Sequence, residues 1–364
     1  MRSRQSPMSR SWSRLLAAAV VVMAVGTCAP ADPGNYGRED GMSKAPAVPQ
    51  WFGGYLDVTL TPNLRLQDLP AQGTITAVLS FIGAHPTQPC EPSWDGYYTL
   101  DQAGARLDLE GQIKSFRAAG NDVAIAFGGQ LATELAVACT DVDALVKAYT
   151  AVITKYGLDT LDFDVEGEGL ADHSASKRRA EAVARIQANR PAGDPLKVWL
   201  TLPVSTDGLT PDGGTSVTSM LDAGVELAGI NIMVMNFEPL APGRTMLDAA
   251  KSAAEATHQT LDALYRTAGK PLDDAALWNR MGLTPMIGEN DVKGQVFTLA
   301  DAEGLNSFGL ERGIGRMSMW SSNRDTACSS SSPREPGSNA SSSCSGVAQE
   351  PGMFAGVLGK SFTG

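Results

Sequence analysis

From Trp51 onward, short apolar runs rich in β-branched residues alternate with longer alanine-rich amphipathic stretches. Short runs that are apolar throughout are typical of strands buried on both faces, and the amphipathic stretches are typical of helices. The pattern predicts eight strands, at 53–59, 74–82, 122–128, 160–165, 197–203, 229–236, 281–287 and 314–320. Helices are predicted between most of them, for example at 109–119, 142–155, 177–188 and 247–268.

This alternation predicts an α/β fold with a parallel sheet. Eight strands are enough to close the sheet on itself, so we expect a (β/α)8 TIM barrel, with an open, doubly wound sheet as the alternative. The 364 residues fit one catalytic barrel over 49–364. The short connection from about Ile287 to about Ala300 leaves no room there for a large insertion domain, and the apolar segment around Phe354 and Val357 is expected to be the closing helix.

The first 28 residues have the pattern of an export signal. Four arginines precede an apolar run over 15–25, which is too short to span a bilayer comfortably. Residues 25–28 (VGTC) resemble a bacterial lipoprotein box, whereas residues 29–31 (APA) resemble an ordinary signal-peptidase site. We expect a signal peptide over 1–28, a linker over 29–48 and a secreted protein, with attachment to a cell membrane through lipidated Cys28 as one of the two outcomes.

Cysteine number supports export, because either way of processing modifies or removes Cys28 and leaves four cysteines. Four cysteines in an exported chain predict two disulfide bonds, for which three pairings exist; unpaired buried cysteines are the alternative. We favour Cys328 with Cys344, because that bond closes a short local loop, which leaves Cys90 with Cys139. The serine-rich stretch 329–343 would then be a stapled surface loop rather than a mucin-like linker.

The formal net charge of −11 argues against nucleic acid and anionic membrane surfaces as partners, because both would be repelled. The three histidines, His85, His173 and His258, lack metal-ligand spacing, and no Ser-His-Asp constellation stands out. We therefore expect no metal and no cofactor, a neutral or weakly cationic substrate, and a monomeric protein.

The most informative segment is 157–167, which reads GLDTLDFDVEG. Because strand side chains alternate between faces, its apolar residues point one way and Asp162, Asp164 and Glu166 point the other. In a barrel this acidic row faces the interior, and its last member lies at the mouth, where barrel enzymes place their chemistry.

Neighbouring carboxylates in this row are separated by roughly 7 Å, so all three cannot be comfortably ionised in a partly buried site. At least one should hold a proton near neutral pH, and a protonated carboxyl beside an ionised one is what glycosidic cleavage needs. A calcium loop beginning at Asp162 is an alternative, but its twelfth position would be His173 instead of Glu. An exposed edge strand is another, but its flanks would not be this apolar.

These residues resemble the strand-four signature of glycoside hydrolase family 18, the chitinase family. That signature, Asp-x-x-Asp-x-Asp-x-Glu, is matched by Asp159, Asp162, Asp164 and Glu166. The resemblance covers the whole predicted barrel. Residues 55–59 (YLDVT) resemble the family's first strand, 126–129 (AFGG) its Ser-x-Gly-Gly motif, 233–237 (MVMNF) its sixth-strand motif and 319–325 (MWSSNRD) its eighth strand.

The resemblance implies a retaining hydrolysis of chitin in which Glu166 protonates the glycosidic oxygen and the substrate's own N-acetyl carbonyl is the nucleophile. Asp164 would orient the acetamido group and stabilise its charge, with Asp162 tuning Asp164 from below. Trp320 would be the apolar floor beneath the distorted sugar, and Asp159 would be structural. The other residues expected at the substrate are Met233 and Met235, which would line the acetamido pocket, and Tyr55, Gly128, Gly129 and Asn236.

Three positions depart from the family's pattern: Ala126 replaces Ser, Asn236 replaces Asp, and Phe237 stands where Tyr is common. None is the acid or the stabiliser, so we expect activity, with substrate preference and pH optimum most affected. An endo-β-N-acetylglucosaminidase acting on N-linked glycans would need the same motif and is the nearest alternative. A catalytically silent chitin- or glycan-binding lectin is the alternative from another class, although such proteins usually lack the acid, and Glu166 is present.

Overall fold

The computed structural model describes residues 49–61, 63–69, 75–330, 332 and 340–362. Its centre is a ring of parallel strands, named β1 to β8 in chain order. They are β1 (Trp51–Asp57), β2 (Thr76–His85), β3 (Asp122–Gly128), β4 (Thr160–Asp164), β5 (Lys197–Ser205), β6 (Leu227–Met233), β7 (Met281–Thr284) and β8 (Arg316–Met319).

The ring is closed, because β1 pairs in parallel with both β2 and β8. Every other barrel strand pairs in parallel with its two neighbours in the chain. An open, doubly wound sheet would leave two edge strands, so the predicted (β/α)8 barrel is confirmed.

Helices surround the ring in the connections between strands. They are α1 (Leu100–Leu107), α2 (Leu109–Ala118), α3 (Leu135–Ala138), α4 (Val142–Tyr156), α5 (Gly167–Ala171), α6 (His173–Ala188), α7 (Pro211–Asp222), α8 (Met246–Thr267), α9 (Asp274–Asn279), α10 (Leu299–Arg312) and α11 (Met353–Leu358). Short 3-10 helices lie at Leu66–Asp68 and Ser322–Arg324.

Local capping explains where two of these helices begin and end. The side chain of Asp141 accepts a hydrogen bond from the Ala144 N–H at the start of α4, and α4 ends at Gly157, whose φ of +60° suits glycine. Helix α6 starts at His173, before the predicted 177, because Asp172 caps it by accepting from the amides of residues 174 and 175. The first turn of α6 is polar, so the pattern of apolar residues did not predict that the helix begins there.

The outer face of the barrel packs on the helices through one continuous apolar layer. In β4 and the residue after it, this layer contains Leu161, Phe163 and Val165, each at most 1% exposed. The Phe163 ring lies 5.2 Å from that of Tyr149 in α4, edge to face. Because these residues face outward, the alternate residues of β4 must face into the barrel.

The largest difference from the predicted elements follows β2. This strand runs on to His85 and folds back into an antiparallel strand, Gln88–Trp94, which pairs with a short strand, Tyr98–Thr99. The sequence pattern missed this rim hairpin because the first half of its second strand is exposed or half-buried and polar. A strand that is not buried on both faces needs no apolar run.

Several barrel strands are shifted by a few residues from their predicted bounds, and β6 and β7 end earlier than predicted. Further short strands lie at the rim, Gly208–Leu209 after β5 and the antiparallel pair Gly288–Glu289 and Val296–Phe297 after β7. No inserted domain separates β7 from α10, as predicted. The closing helix is α11, whose Phe354 is fully buried.

Both favoured disulfide pairings are present. The Cys90–Cys139 bond joins the rim hairpin to the end of α3, and the Cys328–Cys344 bond closes a loop of 16 positions. The signal peptide, Cys28 and the linker lie outside the described residues. Within the described ranges, no helix is long and apolar enough to cross a membrane.

Candidate active site

The acidic row lies inside the barrel, where β4 ends. Asp162 is fully buried, Asp164 is 5% exposed, and Glu166 is half-buried just beyond the strand. The backbone of Glu166 is still extended (φ −142°, ψ 174°), so the alternation of side chains continues past the last paired residue. This is why the predicted row holds although β4 ends at Asp164.

Asp162, at the base of the row, is held by three hydrogen-bond donors from three other strands. Thr201 of β5 donates to Oδ1 over 2.6 Å, while Tyr55 of β1 and Arg316 of β8 donate to Oδ2, the latter over 3.2 Å. Arg316 is itself fully buried. A buried carboxylate without such partners would be strongly destabilising, so this ion pair allows the base of the row to be negatively charged.

Arg316 is fixed in place by aromatic rings and a hydroxyl. Its guanidinium carbon lies 4.9 Å from the ring centre of Trp51 and 5.5 Å from that of Trp199, and its Nε donates to Ser318 over 2.9 Å. The sequence analysis did not identify Arg316. The sequence does contain a signal for it: Arg316 in β8 and Trp320, directly after that strand, are an even number of positions apart, so both face inward.

The upper two carboxyl groups have raised pKa values. Burial raises the pKa of Asp164 well above its usual range, and the charges of Glu166 and Asp162 raise it further, against a lowering by Arg316. Burial also raises the pKa of Glu166 to about 7. The pair therefore retains a proton near neutral pH, which agrees with the expectation from the spacing of the row.

Asp164 has one further feature. Its Oδ1 is buried and has no hydrogen-bond partner among the described protein atoms. Buried polar atoms are nearly always paired in folded proteins, and exceptions are common at functional sites. A ligand that brings a hydrogen-bond donor to this oxygen would be favoured.

Gly128 and Gly129 hold the backbone of this row rather than line the space above it. Gly128 pairs with Asp164, and a Cβ at Gly128 would lie 2.0 Å from the Asp164 carbonyl oxygen. The Gly129 N–H donates to that same oxygen over 3.0 Å, and a Cβ at Gly129 would lie 2.7 Å from the Phe81 ring. Both glycines have positive φ values, +102° and +79°, so close approach and backbone conformation each require glycine.

A pocket of about 270 Å³ opens above the row at the barrel mouth, and we call it the central pocket. It brings together Tyr55, Asp164, Glu166, Met233, Met235, Asn236 and Trp320, all identified from the sequence. It is completed by residues that the sequence analysis missed, namely Phe81, Gln130, Thr201, Pro203, Val204, Thr284, Met286 and Asp291.

Aromatic rings form one side of the central pocket. The rings of Phe81 and Trp320 are stacked, with centres 5.5 Å apart and an interplanar angle of 22°, and Tyr55 lies 6.0 Å from Trp320. Trp320 is half-buried, so part of its ring remains accessible to a ligand. An accessible aromatic ring beside carboxyl groups is a common arrangement in ligand pockets.

The remaining motif residues lie away from the chemistry. Asp159 precedes β4 at the opposite end of the barrel, where it accepts from Thr160 over 2.7 Å and pairs with Lys197 over 3.3 Å. Ala126 packs in the barrel interior beside Tyr55. Phe237 is buried in the apolar layer, and the Gln295 side chain accepts a hydrogen bond from its backbone N–H and donates one to its carbonyl. Across the described ranges, no group of three or more His, Cys, Asp or Glu side chains is placed to hold a metal ion.

Comparison with known proteins agrees with this geometry. Active domain 2 of a chitinase from Pyrococcus furiosus matches the structure with a TM-score of 0.73 and 28% identity, over 87% of this chain and 96% of that chain. In sequence, the chain is 32% identical over 281 residues to a probable bifunctional chitinase/lysozyme of Escherichia coli K12. These matches support a protein like the chitinases of glycoside hydrolase family 18.

Other comparisons define how far this similarity to chitinases extends. Endochitinase 11 of Metarhizium anisopliae is 35% identical over 222 residues. The two sequence alignments cover 74% and 59% of this chain but 30% and 42% of the relatives, so the chain spans less than half the length of these curated relatives. A family GH18 chitinase from Chromobacterium violaceum shares the fold, with a TM-score of 0.52 and 18% identity. No protein-family model matches the sequence.

Proposed function

We propose that this protein is a secreted family 18 chitinase that hydrolyses β-1,4 linkages between N-acetylglucosamine units, with the substrate's own N-acetyl group as the nucleophile. The chitinase names of the relatives at 32% and 35% identity support this substrate class. A Pyrococcus furiosus chitinase domain that matches with a TM-score of 0.72 was solved in complex with chito-oligosaccharides.

Glu166 is the proposed general acid. A group that donates a proton near neutral pH works best when its pKa is close to that pH, and burial raises the pKa of Glu166 to about 7. Its half-buried position on the pocket wall leaves it accessible to a glycosidic oxygen. Protonating that oxygen lets the bond to the anomeric carbon break.

The observation that carries the proposal is the buried, unpartnered Oδ1 of Asp164, one row position below the acid. An acetamido N–H would satisfy this oxygen and, unlike a hydroxyl group at the same carbon, would bring with it a carbonyl oxygen that can act as the nucleophile. Holding the N–H turns the acetamido carbonyl oxygen toward the anomeric carbon, which it attacks as the leaving oxygen takes the proton. The positive charge that forms on the acetamido group lies beside a carboxylate. Water then attacks the anomeric carbon, the bond from that carbon to the acetamido oxygen breaks, and the proton that the water releases returns to Glu166.

Asp162 and its partners are proposed to hold Asp164 in position. The Tyr55 hydroxyl lies 3.1 Å from Arg316 and from the Thr201 hydroxyl, and all three groups also bind Asp162. Arg316 thereby offsets part of the negative charge of Asp162, and the charge of Asp162 still raises the pKa of Asp164. Trp320 would support the sugar ring, and Met233 and Met235 would contact the acetyl methyl group.

The decisive experiment replaces Glu166 with Gln and compares turnover and binding on N-acetylglucosamine oligomers. We expect turnover to fall by about 10²–10⁴-fold while binding is largely retained, because the amide keeps the shape but has no acidic proton. Glu168→Gln is the matched control, because Glu168 is an exposed carboxylate two positions further along the same segment. Unchanged turnover in Glu166→Gln would refute the assignment of the acid.

Two substrate comparisons test the rest of the proposal. Oligomers of glucosamine without acetyl groups should bind but not be cleaved, since they lack the nucleophile; equal cleavage of both would exclude substrate assistance. Release of N-linked glycans from a glycoprotein at a higher rate than chitin oligomers are cleaved would replace chitin with the core of N-glycans as substrate. A folded wild-type protein that binds these glycans and cleaves none of them would be a lectin.

Export is supported by the two disulfide bonds, which form and persist in oxidising compartments. Mass spectrometry of the mature N-terminus tests it. A chain that begins at a lipid-modified Cys28 would be anchored, a chain that begins after residue 28 without lipid would be freely secreted, and an unprocessed Met1 would contradict export.

A further inference from the structure

Asp291 is a third carboxylate at the central pocket, and the sequence analysis gave it no role. It lies on the loop between β7 and α10 and lines the pocket together with Asp164, Glu166 and Asn236. Unlike Asp164, its side chain is exposed to solvent. It therefore presents its charge to whatever occupies the pocket without the cost of burial.

Asn236, which lies just beyond the end of β6, binds Asp291 with both ends of its side-chain amide. The Asn236 Nδ2 donates to Asp291 Oδ2 over 2.8 Å, and Asn236 Oδ1 accepts from the Asp291 backbone N–H, also over 2.8 Å. Asn236 has a φ of +48°, a conformation that asparagine tolerates better than most residues. The side chain of Asp291 is thus oriented before any ligand arrives.

The rest of the loop is anchored as firmly. The Asn290 side chain accepts from the Asn236 N–H over 3.0 Å and donates to the carbonyls of Met286 and Gly288 over 2.9 and 3.1 Å. The buried guanidinium of Arg324 donates to the carbonyls of Ile287 and Glu289. Such preorganisation lowers the entropy cost of binding and is typical of a group that selects a ligand.

We propose that Asp291 is a specificity-determining residue that accepts a hydrogen bond from a sugar hydroxyl bound against the wall formed by the ends of β6 and β7. This inference rests on the proposed function, because it takes the ligand to be an N-acetylglucosamine oligomer. A carboxylate is an acceptor only, so its partner in a neutral sugar must be a hydroxyl or amide donor. In the sugar unit whose acetamido N–H binds Asp164, the donors that remain are hydroxyl groups.

The same geometry accounts for the amide at Asn236. An aspartate at this position would place two carboxylates within hydrogen-bonding distance of each other and would repel Asp291. It would also offer no donor for Asp291 Oδ2. In this chain, Asp291 provides the carboxylate at this wall of the pocket, and Asn236 holds that carboxylate in position.

The test uses Asp291→Asn, which keeps the side chain's shape and an acceptor for Asn236 but removes the charge. On N-acetylglucosamine oligomers we expect KM to rise by about five- to tenfold with kcat nearly unchanged, because the contact is to bound sugar rather than to the reacting atoms. In a Glu166→Gln background, where cleavage is blocked, Kd for the same oligomers should rise by a similar factor. Asp222→Asn, the same change at an exposed site at the carboxyl end of α7, should alter neither value.

Asn236→Asp tests the contact between Asn236 and Asp291. It should raise KM at least as much as Asp291→Asn, and the double variant Asn236→Asp with Asp291→Asn should recover part of that loss, because a donor and an acceptor face each other again. KM and Kd unchanged by Asp291→Asn, or a fall in kcat alone, would overturn the proposal. If the wild-type protein cleaves no oligomer, the proposed function fails, but the titrations with oligomer still decide the role of Asp291.

Discussion

Gly128→Ala is the substitution whose effect follows most directly from the geometry of the site. The added Cβ would lie 2.0 Å from the Asp164 carbonyl oxygen, and ordinary contact begins at 3.4 Å. The two strands would therefore have to separate locally by about 1.4 Å, the difference between these distances. Because the clashing atom is backbone, no side-chain rotation relieves it, and the hydrogen bond from the Gly129 N–H to the same oxygen would be disturbed.

Backbone strain must be separated from this displacement. Gly128 has a φ of +102°, where alanine is strained by about 1–3 kcal/mol. Gly120, which precedes β3, has a φ of +88° with no atom within 4 Å of an added Cβ. Gly120→Ala therefore carries a comparable strain without the displacement of Asp164, and it is the matched control.

Both variants should lose about 1–3 kcal/mol of unfolding free energy in urea titrations, with Gly128→Ala the more destabilised. Only Gly128→Ala should lose activity, by about 100-fold in kcat/KM on N-acetylglucosamine oligomers, because a displacement near 1 Å at a catalytic group costs roughly that much. Equal losses of activity in the two variants, or full activity in a folded Gly128→Ala, would refute the reasoning.

The other predictions concern pH and the disulfide bonds. Above about pH 7, kcat/KM should fall as Glu166, whose pKa burial raises to about 7, loses the proton it donates; a profile still flat at about pH 9 would contradict this. Between pH 4.5 and about pH 7 the folded state keeps a proton on Glu166 that the unfolded state, with a pKa of 4.5, has released, so the free energy of unfolding should fall as the pH rises through this range. At about pH 8, Glu166→Gln should therefore be more stable than the wild-type protein by up to about 3 kcal/mol in denaturant titrations. Replacing the Cys90–Cys139 pair with serines should cost about 4 kcal/mol of stability, and replacing the Cys328–Cys344 pair about 3 kcal/mol. Only the second change should raise KM, because the Ser345 carbonyl next to that bond accepts the Glu289 N–H over 2.7 Å and supports the loop at the pocket wall; an equal rise in KM for both pairs would contradict this.

The acidic row could be predicted because it depends on a local property of the chain. Alternation along one strand places Asp162, Asp164 and Glu166 on one face whatever the rest of the fold does. The eight apolar runs predict eight strands that close into a barrel, and in such a barrel that face is the interior. Raised pKa values for the upper two carboxyl groups follow from the same spacing and burial.

The partners of Asp162 could not be predicted in the same way. Tyr55 and Asp162 are 107 positions apart, and Tyr55 and Arg316 are 261 positions apart, so they meet only when the ring closes. Parity along a strand indicates that Arg316 faces inward, but not which residue it meets. The register between strands decides that, and a single sequence contains no signal for register beyond the hydrophobic pattern.

The rim was harder still to predict. The hairpin after β2 and the loop containing Asp291 lack apolar periodicity, because both are partly exposed and are held by side-chain bonds to backbone groups. The Asn236 substitution was visible in the sequence, but its meaning was not. A departure from a motif can be explained only when the residue that compensates for it is seen beside it.

On the proposed mechanism, the charges of the row explain why one acid and one stabiliser suffice. The buried guanidinium of Arg316 pairs with Asp162 at the base of the row, and the upper pair, whose pKa values are raised, keeps a proton near neutral pH. When Glu166 gives its proton to the leaving oxygen, positive charge appears on the substrate's acetamido group beside Asp164. The net charge of site and substrate together does not change. The Asp164 carboxylate, already in place, interacts more strongly with the positive charge that develops in the transition state than with the neutral resting substrate. A nucleophile supplied by the protein would have consumed one of these carboxylates, whereas the substrate's own N-acetyl group leaves Asp164 charged at the moment when its charge is needed.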